Sequence, residues 1–199
     1  MSDGTSFQAL RAFWKDGPII QRDFRWGSMI EVYDRLWVAN DQFCRNGGGE
    51  WSVVHACKSP CHQRAVGYRG SLPKTHANYL ILSINQDLFL NIIDPPKPLF
   101  MPASFEAFLL FADREWLAGR KLLVHCNQGE SRAPSLALLF LAKCRGALSN
   151  DSYLAARSEF EKLYPGYKAG SGIQTYLASK WHELGTAPRQ GGGLEPARR

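Results

Sequence analysis

Cys126 and Arg132, with five residues between them, are the pair in this sequence best equipped for chemistry. A cysteine thiolate is a strong nucleophile, and a guanidinium fork can hold two oxygens of a phosphoryl group while the sulfur attacks phosphorus. The segment around them reads KLLVHCNQGESRAPS from Lys121 to Ser135. Lys121 to His125 is a short apolar run of the kind that forms a buried strand. Ala133 to Cys144 is rich in Ala and Leu and predicts a helix ending near Gly146. The loop between them feeds a helix N-terminus, where unpaired N–H groups and the positive end of the helix dipole favour an anion. Cys126 lies at that focus, so its thiolate form is favoured. Gly129 allows the positive φ that lets successive N–H groups turn inward.

His125-Cys126, five residues and Arg132, with Gly129 between, form the pattern H-C-x-x-G-x-x-R. In this the chain resembles the cysteine-dependent protein tyrosine phosphatase superfamily, and its small dual-specificity branch in particular. The resemblance implies an α/β fold with a central twisted, mostly parallel sheet of about five strands flanked by helices. It also implies metal-free, cofactor-free hydrolysis of phosphotyrosine, with phosphoserine and phosphothreonine as further substrates, in a phosphorylated protein or peptide. Phosphate would be held by Asn127, Gln128, Gly129, Glu130, Ser131 and Arg132, with His125 orienting the loop and supporting the thiolate. The family's general acid is an Asp on a loop after a strand, about thirty residues before the Cys. Asp94 fits: it follows the apolar run FLNII and precedes Pro95-Pro96, which would stiffen its loop. Asp87 is the runner-up, and Asp113, mid-helix, is expected to be solvated.

Some members of the superfamily set a second Cys against the catalytic one. Cys57, at the end of the run WSVVHA, is the candidate here for a disulfide protecting an oxidised Cys126. One departure stands out. The family usually has Ser or Thr directly after the Arg, where its hydroxyl assists departure of the Cys sulfur; here that residue is Ala133. The alternative function is therefore a catalytically weak, phosphate-binding pseudophosphatase. A sulfur-transfer enzyme built on a Cys-x5-Arg loop competes less well, given Asp94 before Pro95 and the helical C-terminal half. The absence of Lys between Cys126 and Arg132, with the Glu130 carboxylate on the rim, argues against polyphosphorylated substrates.

His55, Cys57, Cys61 and His62 in HACKSPCH are zinc-ligand types. Their spacing matches no standard site and His55 falls within a strand, so no metal site is expected.

The wider sequence sets the context for this loop. A chain of 199 residues with 45% hydrophobic content suits one domain with a real core. Five cysteines, an odd number, favour a reducing, cytoplasmic setting over a disulfide scaffold. No apolar run of about 18 residues is present. Of the net charge of +6, the segment from Gly185 carries three Arg and one Glu, so the remainder is too weakly basic to imply nucleic acid. No nucleic acid, membrane or cofactor is expected, and the chain is expected to be a monomer.

Residues 1–27, with a possible helix over Thr5 to Lys15, form an extension without an assigned role. The phosphatase domain is expected over 28–184, and 185–199, rich in Gly, Pro and Arg, is expected to be disordered. Strands are predicted at Met29–Tyr33 and Leu36–Ala39 around an Asp34-Arg35 turn, then at Trp51–Ala56, Tyr79–Ile84 and Phe89–Ile93. A brief helix is predicted over Asn40–Arg45. Pro102 to Leu117 shows a helical apolar stripe. Two further helices are predicted over Ser152–Leu163 and Ile173–Leu184, the second capped by Ser171.

Overall fold

A computed structural model of the chain describes residues 29–185. The predicted Thr5–Lys15 helix and all but the first residue of the predicted disordered tail lie outside them. The strands are β1 (Ile30–Tyr33), β2 (Leu36–Ala39), β3 (Trp51–His55), β4 (Ile81–Ile84), β5 (Asp87–Leu90) and β6 (Lys121–His125). They form one sheet in the order β1-β2-β6-β3-β5-β4, six strands where about five were expected. β2, β6, β3 and β5 run parallel, and the antiparallel β1 and β4 close the two edges. The helices are α1 (Gln63–Val66), α2 (Pro102–Leu117), α3 (Arg132–Phe140), α4 (Tyr153–Leu163) and α5 (Ser171–Lys180). A single turn over Asp41–Phe43 follows β2, and an irregular turn over Lys58–His62, kinked at Ser59, leads into α1.

Side chains alternate across the central strands, as the period of two requires. Leu122 and Val124 of β6, Leu36 and Val38 of β2 and Val54 of β3 enter the main core. That core is shared with α2, α3, α4 and α5. Leu123, Ala39 and Val53 point to the other face, against Trp37, Phe43 and Trp51. α3 is buried along nearly its whole length, which accounts for its lack of a polar face. Phe140 of α3 meets Trp116 and Phe108 of α2 with ring centroids 5.6 and 6.4 Å apart.

Three expectations need correction. Tyr79–Ile84 is not a buried strand: β4 pairs with β5 alone, so Ser83 and Ile84 are exposed. The last helix starts at Ser171 with Gly170 as its cap, because the Ser171 hydroxyl donates to the Pro96 carbonyl (3.0 Å) instead of capping. Asp113 is mostly buried and ion-paired with Arg145. Ser152, by contrast, caps α4 as expected, accepting from Ala155 N at 3.1 Å.

Phe140 is fully buried between two helices. Phe140→Ala is expected to destabilise the domain by about 3–5 kcal/mol, read as a lowered midpoint in denaturant titration with an unchanged slope.

Candidate active site

β6 ends at His125, and the chain turns through Cys126–Ser131 into α3 at the carboxyl end of the parallel strands, where open sheets bind ligands. Four of the loop's six carbonyls accept hydrogen bonds from residues outside the loop. Asn127 O accepts from Asp41 N, Glu130 O from Lys168 N (2.8 Å) and Ser131 O from Ser135 N. Gly129 O accepts from the Tyr164 hydroxyl at 3.0 Å. The N–H groups behave in the opposite way. Among the described residues, none from Asn127 to Arg132 donates to any protein acceptor. Unspent donors at a helix N-terminus are chemically suited to an oxyanion.

Gly129 has φ +74°, and a Cβ there would come within 3.1 Å of the Ala39 carbonyl and Asn40 N. Both the turn and the approach to β2 exclude other residues. Arg132 is clamped along one edge: Nη1 donates to Ala56 O and Ile92 O at 3.2 Å, and Nη2 donates to Asn127 Oδ1 at 2.9 Å. Its Nε is buried and meets no partner among the described residues, which leaves it for an oxyanion. Asn127 is itself held by Ser59 O at 2.9 Å. Gln128 is exposed, Glu130 is half-buried with Lys168 Nζ 3.6 Å away, and Ser131 Oγ accepts from Gly170 N at 2.9 Å. Cys126 is only 2% exposed.

Asp94 is exposed on the loop after β5. Its carboxylate lies against Gly170, where a Cβ would collide with it. Gly170 is also the residue that bonds Ser131 of the phosphate loop, so one glycine joins the Asp94 loop to the rim of the Cys126 loop. Asp87, the runner-up, is committed elsewhere: it accepts from Gly47 N at 2.9 and 3.0 Å and bonds His55 Nε2 at 2.8 Å. Cys57 is fully buried. A hydrogen bond with Cys61 pulls its thiol below the ordinary range against the effect of burial, and the Arg132 charge acts in the same direction. Both hydroxyls flanking Ala133 are in use, Ser131 with Gly170 and Ser135 with Tyr167 at 2.8 Å.

His125 turns to the face of the sheet opposite Cys126. Its Nε2 bonds His55 Nδ1 at 2.8 Å, on the face of the sheet opposite α3. This gathers Cys44, His55, Cys61 and His125, whose potential metal-binding atoms all lie within 4.8 Å of one another. The expectation of no metal site rested on HACKSPCH, but only His55 and Cys61 come from it. His62 bonds the Tyr68 hydroxyl at 3.1 Å instead. Sequence reasoning also missed Tyr164. Burial first, then the charges of Cys126 and Glu130, push its hydroxyl up to about 12, so it stays a donor to Gly129 O. Nothing in its local sequence marks it, because the contact spans α4.

No family model matches the sequence, and no curated protein does either. Solved structures do match. Human DUSP28 is 17% identical, covering 78% of this chain and 93% of its own, with a TM-score of 0.53. The human tyrosine phosphatase-like serine/threonine/tyrosine-interacting protein is 17% identical, covering 78% and 96%, at 0.52. A leucine rich repeat and phosphatase domain containing protein from Entamoeba histolytica is 15% identical, covering 79% and 92%, at 0.53. The chain has a dual-specificity phosphatase-like fold.

Gly129→Ala is expected to weaken orthovanadate binding at least ten-fold, because the added Cβ forces the loop off Ala39 and misaligns its N–H groups. Calorimetric titration on wild type and variant measures it.

Proposed function

We propose that the protein is a cysteine-dependent phosphomonoester hydrolase acting on phosphotyrosine, and on phosphoserine and phosphothreonine, in proteins. The observation that carries this reading is the set of unspent N–H donors from Asn127 to Arg132, with the unpartnered Arg132 Nε, around Cys126.

The Cys126 thiolate attacks phosphorus in line, forming an S–P bond as the P–O bond to the substrate breaks. The loop N–H groups and Arg132 hold the equatorial oxygens as charge develops on them. Asp94, protonated, gives its proton to the departing oxygen and is left as a carboxylate. A water then attacks the phosphocysteine, Asp94 takes its proton, the S–P bond breaks, and phosphate leaves with the thiolate restored. His125 supports the loop from behind, and Cys57, beside Arg132, remains the partner for an oxidised Cys126. The substrate is a phosphorylated protein or peptide. The exposed Ile93, Leu99 and Met101 near Asp94 give such a substrate an apolar rim to rest on. The enzyme works as a monomer, and the odd cysteine count favours the cytoplasm.

Hydrolysis of p-nitrophenyl phosphate, followed from pH 4.5 to pH 8 without added metal, tests the assignment. Cys126→Ser is expected to abolish turnover while retaining vanadate binding. Asp94→Ala is expected to lower kcat by about 10²–10⁴-fold and to remove the fall in activity on the alkaline side. An inactive wild type that still binds vanadate would favour a phosphate-binding module.

Ala133 favours slow release of the enzyme sulfur, since it leaves no hydroxyl directly after Arg132. A pre-steady-state burst of p-nitrophenol is expected from wild type, and Ala133→Ser is expected to raise kcat several-fold and shrink the burst. A linear time course from the first turnover would count against the slow second step.

A further inference from the structure

Four side chains from four separate segments meet behind the phosphate loop: Cys44 after β2, His55 at the end of β3, Cys61 in the kinked turn and His125 at the end of β6. We propose that they form a structural zinc site, a Cys2His2 centre that ties the strand carrying the nucleophile to three neighbouring segments.

The convergence follows from register. β3 and β6 pair in parallel with His55 opposite His125, so both imidazoles leave the sheet on the same face at the same level. Strand alternation places that face with Leu123 and Val53, away from α3, whereas Cys126 belongs to the main core on the other side. Cys44 Sγ lies 3.7 Å from Cys61 Sγ and 3.6 Å from His55 Nδ1. A tetrahedral zinc with ordinary Zn–S and Zn–N bonds requires roughly 3.8 Å between sulfurs and 3.5 Å from sulfur to nitrogen. The His55–His125 nitrogens, 2.8 Å apart, must separate by about 0.5 Å to reach the roughly 3.3 Å of a regular tetrahedron.

The outer shell suits a metal too. His55 presents Nδ1 to the cluster and Nε2 to Asp87 Oδ1 at 2.8 Å, and Asp87 is fixed by Gly47 N. A carboxylate behind a ligating histidine sets its tautomer and its orientation. Phe89 stacks on the His55 ring with centroids 4.1 Å apart and screens it. The ion and its four ligands are neutral in sum: a divalent ion, two thiolates and two neutral imidazoles. His55, Cys61 and His125 are buried while Cys44 is exposed, which gives the ion a way in and lets the chain close over it. With four protein ligands the coordination sphere is full, so the ion has a structural role and meets no substrate. Loading releases the two thiol protons to solvent and changes no oxidation state.

The test is metal content of the full chain purified without chelator, with cobalt(II) titration of the chelator-treated protein. About one zinc per chain is expected in wild type, in Cys57→Ser and in Cys126→Ser, and at least a ten-fold loss in Cys44→Ser and Cys61→Ser. Cobalt is expected to give the intense visible bands and thiolate charge transfer of a tetrahedral site in wild type, and to lose both in Cys44→Ser. Cys44 is exposed, so that variant can be read even if Cys61→Ser fails to fold. Chelation should lower the melting temperature of wild type and leave that of Cys44→Ser unmoved. A wild type without zinc or a tetrahedral cobalt spectrum would overturn the proposal, leaving a hydrogen-bonded Asp87–His55–His125 chain. So would a Cys44→Ser that binds zinc as well as wild type, or loss of zinc in Cys126→Ser. None of these readouts depends on phosphatase activity.

Discussion

A loop whose backbone N–H groups are left unspent imposes a condition on the rest of the protein: the carbonyls of the same peptides need partners elsewhere. For four of them, residues outside the loop supply those partners. Asp41 comes from the turn after β2, Ser135 from the first turn of α3, Tyr164 from the end of α4 and Lys168 from the strap before α5. Buried carbonyls left without partners would each cost about 1–3 kcal/mol, and the loop would relax by turning some of them inward. The helical C-terminal half of the chain therefore maintains the polarity of the loop as well as burying one face of the sheet.

The strap before α5 couples the Cys126 loop to the Asp94 loop. Gly170 bonds Ser131 through its N–H and has the Asp94 carboxylate against its Cα, and Ser171 holds the Pro96 carbonyl. The Asp94 loop is thus fixed against the same strap that fixes the phosphate loop. The Ile92 carbonyl, two residues before Asp94, also accepts from Arg132. A displacement of either loop is transmitted to the other through two or three contacts, which is how groups far apart in the chain keep a working geometry.

The sheet divides its two faces between separate tasks. On one, Cys126 enters a core shared with α2, α3, α4 and α5. On the other, His125 and His55 meet Cys44 and Cys61. One residue step separates these faces, so His125 and its neighbour Cys126 lie on opposite sides of the sheet. The solved structures that resemble this chain do so at 15–19% identity, a likeness of fold. The assignment of chemistry rests on the loop itself.

The sequence alone determined the elements that local patterns encode: the β6–loop–α3 unit, the hairpin of β1 and β2, the stripe of α2, and Cys126, Gly129, Arg132 and Asp94 as candidates. These were legible because strand alternation, helical periodicity, turn residues and the H-C-x5-R spacing act over a few neighbouring positions. Tertiary structure decided what depends on register and on contacts across the fold. It placed β4 at an edge, spent Asp87 on His55, moved the cap of α5 from Ser171 to Gly170 and brought Tyr164 to Gly129. It also replaced the compact HACKSPCH grouping with one that takes a side chain from the H-C-x5-R motif itself and another from after β2. Alternation along β3 and β6 could have put His55 and His125 on one face. Their pairing, and the arrival of Cys44 and Cys61 beside them, required the sheet order, and a single sequence carries no local signal for which strands will be neighbours.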